Sequence, residues 1–290
     1  MVSVAKDEVR VGLDLGGHEY EITPELVRDY IEGVDDSQPW YTGASPFGGP
    51  VAPALILHSE VYRFGGWYLP NVWGNLHARQ EWEFFAPIMV GDRVMTRSTI
   101  IDRYIKRERD YVVNEVQLIG PEGRLLMRGR THQSFLIESK EGLAVDKARE
   151  KRADRRFEVG EAAFEEEIPP LEKTVTLEMC RKFSGPAKNY HTDVEEAKKL
   201  GFPDVVVQGM MPICFLSELM THRFGEGWFA GGRMDVRLVN VLWGSDGVAV
   251  CRGVVREFTP EGARRRAHCE VWVEKRDSTK VIVGTASAAT

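Results

Sequence analysis

The sequence predicts an α+β fold that is built twice, with one buried helix against a long antiparallel sheet in each half. The first observation is an internal repeat, in which a short amphipathic helix, a polar loop with aromatic residues and a long apolar segment follow one another in both halves. The second observation is that each half ends in three strand-like segments separated by charged or glycine-containing turns. A helical part followed by a run of strands is typical of the α+β class.

The short helix of each half has clear start and stop signals. In ITPELVRDYIEG, Thr23 is predicted to be the N-cap and Pro24 the first helical residue. In VTLEMCRKFSG, Thr176 occupies the capping position. Gly33 and Gly185 are predicted to end these helices, because glycine readily adopts the left-handed conformation of a helix terminus.

The apolar segments are predicted to be the central helices. GGPVAPALILHSEVYRF starts at Gly48 and QGMMPICFLSELMTHRF at Gln208, and both are long and free of charge in their first turns. The strands expected after them cover residues 93–105, 111–119, 124–136, 248–258, 263–275 and 280–288.

These elements divide the chain into two units and a connector. We expect an N-terminal unit of residues 1–137, a charged linker of residues 138–172 and a C-terminal unit of residues 173–290. The linker contains DKAREKRADRR and FEEEIPPLEK, charge runs that are typical of a solvated segment, and Pro169 and Pro170 mark its end. We expect the units to pack as a pseudo-dimer whose sheets join edge to edge, because this removes exposed strand edges.

Composition excludes several function classes. Of 290 residues, 43% are hydrophobic and 28% charged, which is typical of a globular protein with a real core. A net charge of −6 with both signs scattered argues against nucleic acid or a membrane surface as the main partner. The four cysteines form no C-x-x-C pair and are expected to be buried and reduced. The N-terminus lacks a signal-type apolar stretch, and no segment is long enough to span a bilayer, so we expect a cytoplasmic protein.

The stretch FSGPAKNYHTDVEEAKKLGFPDVVVQGMM, residues 183–211, carries a family resemblance. It resembles the MaoC-like, (R)-specific enoyl-CoA hydratase family in its double hot-dog form. The family pattern is aspartate, any residue, asparagine, proline, an aliphatic residue and histidine, with an aspartate two places on and a segment like GFPDVVVHGMM after it. The histidine falls on His191, the trailing aspartate on Asp193 and the glycine on Gly209. The resemblance implies that His191 activates a water and that the amides of Gly209 and Met210 bind the thioester oxygen.

The departures from the family pattern concern half of its acid/base pair. Pro186 stands where the family has its catalytic aspartate, and Lys188 stands where it has asparagine, with Asn189 next to it. Gln208 replaces the histidine before the glycine. We therefore expect His191 and Asn189 to be the catalytic residues. The residues expected to line the pocket are Ser184, Pro186, Tyr190 and Gln208.

The first half is similar to a degenerate copy of the same motif. DSQPWY keeps the spacing, with Asp36 at the aspartate position and Tyr41 at the histidine position. HARQEWEFFAPIMVGDRV, residues 77–94, also resembles the family's N-terminal unit. The resemblance implies that this unit shapes the acyl pocket and that Asp36 and Tyr41 belong to a second, degenerate site.

The chemistry of these groups leads to a lyase hypothesis. A histidine near its ordinary pKa can act as base or acid at neutral pH, and the first amides of a buried helix suit a developing oxyanion. We expect a hydratase or dehydratase of fatty acid metabolism, acting on a 2-enoyl or 3-hydroxyacyl thioester of CoA or of an acyl-carrier protein. Two alternatives stay open: a non-catalytic acyl-CoA-binding or partner subunit, which Pro186 favours, and a hot-dog thioesterase.

Several further features are left open or are expected to be without a role. Asp193 is expected to cap the following helix, and Asn189 is either an orienting group or an ordinary turn residue. The acyl chain, the physiological direction and a further homodimer are not specified by the sequence. No cofactor or metal is expected, because five histidines stand without a recognisable frame: His58, His77, His132, His222 and His268.

Overall fold

The protein is built around a single ten-stranded antiparallel sheet. The structure, a computed structural model, describes residues 7–69, 75–137 and 159–290. The strands of the first half are β1 (Asp14–Glu21), β2 (Leu76–Phe84), β3 (Arg93–Lys106), β4 (Arg109–Ile119) and β5 (Leu125–Leu136). Those of the second half are β6 (Glu166–Thr174), β7 (Arg233–Leu238), β8 (Val248–Glu261), β9 (Arg264–Glu274) and β10 (Lys280–Ala289).

The strand order shows that the sheet consists of two equivalent halves. It runs β1-β3-β4-β5-β2-β7-β10-β9-β8-β6. Each half therefore has the same strand order when it is read from its own outer edge toward the middle of the sheet. β2 and β7 meet in the middle as an antiparallel pair from Arg79 opposite Arg237 to Glu83 opposite Arg233. The guanidinium of Arg79 binds both carboxylate oxygens of Asp235 at 2.6 Å across this junction. The predicted edge-to-edge pseudo-dimer is therefore confirmed.

The strands that end each half were predicted well, whereas the four other strands were not. The predicted segments agree with β3, β4, β5, β8, β9 and β10 to within a few residues. β6 corrects the predicted linker, because its residues Glu166–Thr174 include the last part of the range 138–172. Pro169 and Pro170 are tolerated there because β6 is an edge strand with a bulge between Ile168 and Leu171. Residues 138–158 of the predicted linker lie outside the described residues.

The helices are α1 (Pro24–Val34), α2 (Leu177–Ser184), α3 (Val194–Lys199), α4 (Met210–Phe224) and α5 (Glu226–Phe229). Both predicted N-caps are confirmed, since the hydroxyl of Thr23 accepts from the amide of Leu26 and that of Thr176 from Met179. None of the helices of the described residues is long and apolar enough to cross a membrane.

The two predicted glycine stops have different outcomes. Gly185 follows α2 with a φ of 88°, as expected. Gly33 lies inside α1, which continues to Val34, and Asp35 takes the left-handed conformation in its place. Gly33 faces α2, where a Cβ would lie 3.6 Å from the Cα of Phe183, an ordinary van der Waals distance. The prediction that Gly33 ends α1 was therefore wrong.

Only one of the two predicted central helices exists. α4 has residues 210–221 buried, as expected for a central helix. In the first half, residues 48–64 form tight turns and a short 3-10 helix, Glu60–Arg63, although most of this segment is buried. The amide of Ile56 bonds to the carbonyl of Pro53 and that of His58 to Leu55, which is the three-residue spacing of tight turns.

A buried carboxylate fixes the end of this turn segment to the sheet. Glu60 is 3% exposed and accepts hydrogen bonds from Tyr20 in β1 at 2.6 Å and from Thr96 in β3 at 2.9 Å. Nδ1 of His18 lies 2.6 Å from the same carboxylate. These tertiary hydrogen bonds hold Glu60, a charged residue within a mostly apolar segment, against the sheet. Pro50 and Pro53 also disfavour a helical conformation of the residues that precede them. The resulting turns still bury the apolar side chains.

The four cysteines are free and buried, as predicted. Burial raises the pKa of the Cys180 thiol to about 11 and that of Cys269 to about 12. Both thiols are therefore protonated at neutral pH and behave as small apolar side chains.

A buried ionic cluster joins the two halves behind the sheet. Lys173 in β6 is 4% exposed, and its ammonium lies 2.7 Å from the carboxylate of Glu218 in α4. The same ammonium donates to the carbonyl of Asp35, which belongs to the first half. Burial, together with the neighbouring charge of Asp36, raises the pKa of Glu218 to about 8 despite the lysine. Folding therefore favours the protonated form of Glu218.

We expect this cluster to make stability fall as pH rises. Between pH 4.5 and about 8 the folded protein holds a proton on Glu218 that the unfolded chain has released, so the free energy of unfolding decreases across this window. Glu218→Gln removes that proton exchange, and urea unfolding at a series of pH values should then show a shallower slope than the wild type. Equal slopes in the two proteins would contradict the assignment.

Candidate active site

The loop between α2 and α3 is organised by Asn189. Its backbone amide donates to the hydroxyl of Thr192 at 2.9 Å, and its carbonyl accepts from the amides of Thr192 and Asp193. Its side-chain oxygen accepts from the amide of His191 at 2.8 Å, while its side-chain nitrogen donates to Ala187. Asn189 therefore holds the backbone that carries His191, and within the described residues its side chain makes no hydrogen bond to the ring nitrogens.

Asp193 has the capping role that was expected of it. One carboxylate oxygen accepts from the amides of Glu195 and Glu196 at 2.9 and 3.2 Å, at the start of α3. The other oxygen lies 3.3 Å from the ammonium of Lys188. These bonds lower the pKa of Asp193, because they favour its charged form.

The imidazole of His191 is held in one tautomer by a backbone carbonyl. Its Nδ1 lies 2.7 Å from the carbonyl oxygen of Val206, which can only accept, so Nδ1 carries the proton. Nε2 then has a free lone pair, and within the described ranges it has no hydrogen-bond partner. Burial lowers the pKa of His191 to about 4, more than the Val206 carbonyl raises it. The expectation of an ordinary histidine pKa was therefore wrong, and the ring is neutral at pH 7.

The start of α4 lies three residues after Val206. The amide of Val206 donates to the carbonyl of Tyr190 at 3.1 Å, which ties this segment to the loop of His191. Gly209 precedes the first residue of α4, and no described residue accepts a hydrogen bond from the amides of Gly209 or Met210. These two amides, with the positive end of the helix dipole behind them, are the donors that the sequence predicted for an oxyanion.

Gly209 has no room for a side chain. A Cβ at this position would lie 2.4 Å from Cδ2 of Leu238 in β7 and 3.4 Å from Nδ1 of His77 in β2. Contacts under 3.0 Å do not occur in folded proteins without a shift of the neighbour. The start of α4 is therefore packed closely against the junction of the two half-sheets.

Three of the four predicted pocket residues, Ser184, Tyr190 and Gln208, lie beside His191 or the segment before α4. The exception is Pro186. The hydroxyl of Ser184 donates to the side-chain oxygen of Gln208 at 3.2 Å, which connects the end of α2 with the segment before α4. The ring of Tyr190 lies 3.9 Å from that of His191, and burial raises the pKa of Tyr190. Pro186 is exposed on the surface of the loop.

The first half contributes two aromatic residues, Tyr62 and Tyr68, to the surroundings of Tyr190. Burial is the main cause that raises the pKa of Tyr62 and of Tyr68. An ionised Tyr190 would raise both further, which shows that the three phenols are neighbours. The ring of Tyr62 lies 6.4 Å from that of Tyr68 and 6.4 Å from that of His77. The resemblance of residues 77–94 to a pocket-forming unit was the signal that could have identified His77.

The loop of Asp36 is the structural equivalent of the His191 loop. The amide of Val51 donates to the carbonyl of Trp40 at 2.9 Å, as that of Val206 does to Tyr190, which places Tyr41 at the position of His191. The hydroxyl of Tyr41 donates to Asp36 at 2.8 Å. Burial raises the pKa of both groups, and a phenol with a raised pKa is a poor base at neutral pH.

Asp36 also belongs to a group of possible metal ligands. Oxygen or nitrogen atoms of Asp36, Glu218 and His222 lie within 4.8 Å of one another. The ammonium of Lys173, 2.7 Å from Glu218, already supplies the positive charge that such a group would need. The donor set therefore already has a positively charged partner within the protein, and protonation of Glu218 further lowers its affinity for a divalent cation.

Comparisons with known proteins agree with this architecture. Residues 10–128 match the model of a FAS1-like dehydratase domain region. A UPF0336 protein from Streptomyces coelicolor is 29% identical over 92 residues, which cover 28% of this chain and 61% of that protein. The match thus spans less than two thirds of that relative's length.

Solved structures resemble the chain over its whole length. A MaoC-like dehydratase has a TM-score of 0.77 at 18% identity and covers 98% of both chains. A MaoC-like dehydratase from Phytophthora capsici has a TM-score of 0.71 at 15% identity, again over 98% of both chains. A Mycobacterium tuberculosis protein described as having a double hot-dog fold has a TM-score of 0.61 at 12% identity and covers 98% of this chain and 97% of its own. The chain therefore has the double hot-dog fold of these structures, and its residues 10–128 are similar to a FAS1-like dehydratase region.

Proposed function

We propose that the protein interconverts a 2-enoyl thioester and a 3-hydroxyacyl thioester, with His191 as the acid/base. The observation that carries this proposal is the bond between Nδ1 of His191 and the carbonyl of Val206 at 2.7 Å. It leaves Nε2 of His191 with a lone pair and ties the ring to Val206, three residues before Gly209, whose amide and that of Met210 are free within the described part of the chain. A base joined to the segment that carries an oxyanion site is what addition of water to a conjugated thioester requires.

The hydration step needs only these groups. Nε2 of His191 takes a proton from a water as its oxygen bonds to C3, and the electron pair of the double bond moves onto the thioester oxygen. The amides of Gly209 and Met210 donate to that oxygen while it carries negative charge, and loss of one such donor costs about 2.7–4 kcal/mol of barrier. The protonated His191 then returns its proton to C2, so that one water is added and the enzyme is regenerated. Dehydration is the reverse sequence.

The carbonyl of Val206 replaces one function of the missing carboxylate. It fixes the tautomer and the orientation of His191, as a carboxylate does in other histidine sites. A neutral carbonyl stabilises an imidazolium less than a charged carboxylate would, so burial, the main cause, still lowers the pKa of His191 to about 4. His191 is therefore a weak but always available base at neutral pH.

The substrate is proposed to be a thioester of CoA or of an acyl-carrier protein in fatty acid metabolism, in the cytoplasm. A non-catalytic acyl-CoA-binding subunit is the second candidate, and Pro186 favours it because proline cannot hold a proton. The two candidates differ in one measurable property, namely turnover of 2-enoyl-CoAs.

We expect His191→Ala to abolish most activity while the fold persists. Loss of a positioned acid/base lowers rates by about 10²–10⁴-fold. The assay is the loss of conjugated thioester absorbance with a panel of 2-enoyl-CoAs. Tyr41→Phe is the matched control, since it changes the equivalent position of the first half and should retain most of the rate. If Tyr41→Phe is as damaging as His191→Ala, the site has been assigned to the wrong loop.

We expect Pro186→Asp to increase hydratase activity modestly. It introduces a carboxylate at the position that matches the family's catalytic aspartate, but residue 186 is exposed on the surface of the loop, so the gain should fall below the range of about 10²–10⁴-fold that a fully positioned acid/base provides. Pro186→Asn is the control, because it releases the backbone restraint of proline without adding an ionisable group. A folded Pro186→Asp protein that is no faster than Pro186→Asn would favour the binding subunit.

A further inference from the structure

His77 carries a buried nitrogen that the proposed mechanism does not use. It lies in β2 of the first half, at the bulge between His77 and Arg79 in the pairing with β5. Its Nδ1 is fully buried and has no hydrogen-bond partner in the described parts of the chain. A buried polar atom without a partner costs stability, and a bound ligand that donates a hydrogen bond to it would remove that cost.

A chain of hydrogen bonds determines which form of the ring is present. The side-chain nitrogen of Gln80 donates to the carbonyl of Glu81 at 3.1 Å, and its oxygen accepts from the hydroxyl of Thr131 at 2.8 Å. That oxygen lies 3.1 Å from Nε2 of His77, so Nε2 carries the proton and donates to it. Nδ1 of His77 is consequently an acceptor. Burial lowers the pKa of His77 to about 4, more than the hydrogen bonds of the ring to Gln80 and to the backbone of Arg79 raise it, which keeps the ring neutral.

The position of this acceptor relates it to the site of His191. Nδ1 of His77 lies 3.4 Å from the point where a Cβ of Gly209 would be, beside the amides proposed for the oxyanion. The ring of Tyr62 connects it to Tyr190, whose ring contacts His191. A lone pair at this place repels a negative thioester oxygen, so its partner has to be an N–H or O–H donor on another part of the ligand.

We propose that Nδ1 of His77 accepts a hydrogen bond from the hydroxyl on C3 of a bound 3-hydroxyacyl thioester, and from the water that takes its place beside a 2-enoyl thioester. The choice of ligand rests on the proposed function. A water has two protons, and it can donate one to Nε2 of His191 and the other to Nδ1 of His77. Its oxygen lone pair is then directed away from both rings, toward C3. The first half thus supplies the second group that orients the water.

The variants separate this role from a structural one. His77→Gln keeps an amide that can reach Gln80 but has no acceptor at the Nδ1 position, whereas His77→Asn places an amide oxygen or nitrogen near that position. His132→Gln is the matched control, because His132 is a buried histidine in β5 whose ring nitrogens both have protein partners, Glu81 at 2.8 Å and Tyr104 at 3.4 Å. Thermal unfolding of all three shows whether the fold is retained.

The experiment measures by calorimetry the binding of 3-hydroxybutyryl-CoA and of butyryl-CoA, which differ only in the hydroxyl group. The same comparison is made with the corresponding ten-carbon acyl-CoAs. We expect the wild type to bind the hydroxy form about tenfold more tightly, as one hydrogen bond of ordinary strength allows. His77→Gln should remove this preference, His77→Asn should restore part of it and His132→Gln should keep it. In hydration of the 2-enoyl-CoAs, His77→Gln should lower kcat about 10²-fold with little change in KM.

The outcomes distinguish this inference from the proposed function. An active wild type whose hydroxyl preference and kcat are unchanged in His77→Gln overturns the role of His77 and leaves the hydratase intact. Equal weakening of both ligands in His77→Gln also overturns it, because the donor then lies in the shared pantetheine. An inactive wild type whose hydroxyl preference depends on His77 supports the inference and overturns the hydratase.

Discussion

The pairing of β2 with β7 is the constraint on which the rest of the structure depends. It converts two five-stranded sheets into one, and its register places His77 of the first half against Gly209 of the second. The tight approach is possible only because residue 209 has no side chain and Leu238 fills the space beside it. The candidate site is therefore made by both halves, although the loop of His191 belongs to one of them.

Sequence patterns predicted those parts of the fold that local chemistry determines. Thr23 and Thr176 are side-chain caps, and six strands have strong β-branched alternation, so both could be read from neighbouring residues. The strands that were missed depend on partners far along the chain: β1 contains two glycines, and β6 two prolines, and both are held as strands by β3 and β8. The absent helix of residues 48–64 has the same origin, since Glu60 is bound by β1 and β3.

The candidate site was predicted in part for a similar reason. His191, Gly209 and Tyr190 lie close together along the chain and carry a recognisable spacing, so the sequence alone brings them together. The tautomer and the low pKa of His191 depend on burial and on Val206, which the motif does not reveal. His77 lies more than one hundred residues away from His191 and has no motif of its own chemistry, so only the sheet junction brings it near the site.

In the proposed mechanism the two halves hold opposite members of an acid/base pair, and the surroundings of Asp36 keep it from serving the loop of His191. Asp36 is 1% exposed, is bonded to Tyr41, and shares its surroundings with Lys173 and Glu218, so it serves the ionic cluster between the halves. His191 faces the other site and is oriented by a carbonyl. A water held by His191 alone would be free to rotate, and the orientation that a carboxylate would impose has to come from a second acceptor. A neutral histidine can provide that acceptor in a buried site without the desolvation cost of a charge, and such a residue stands at position 77.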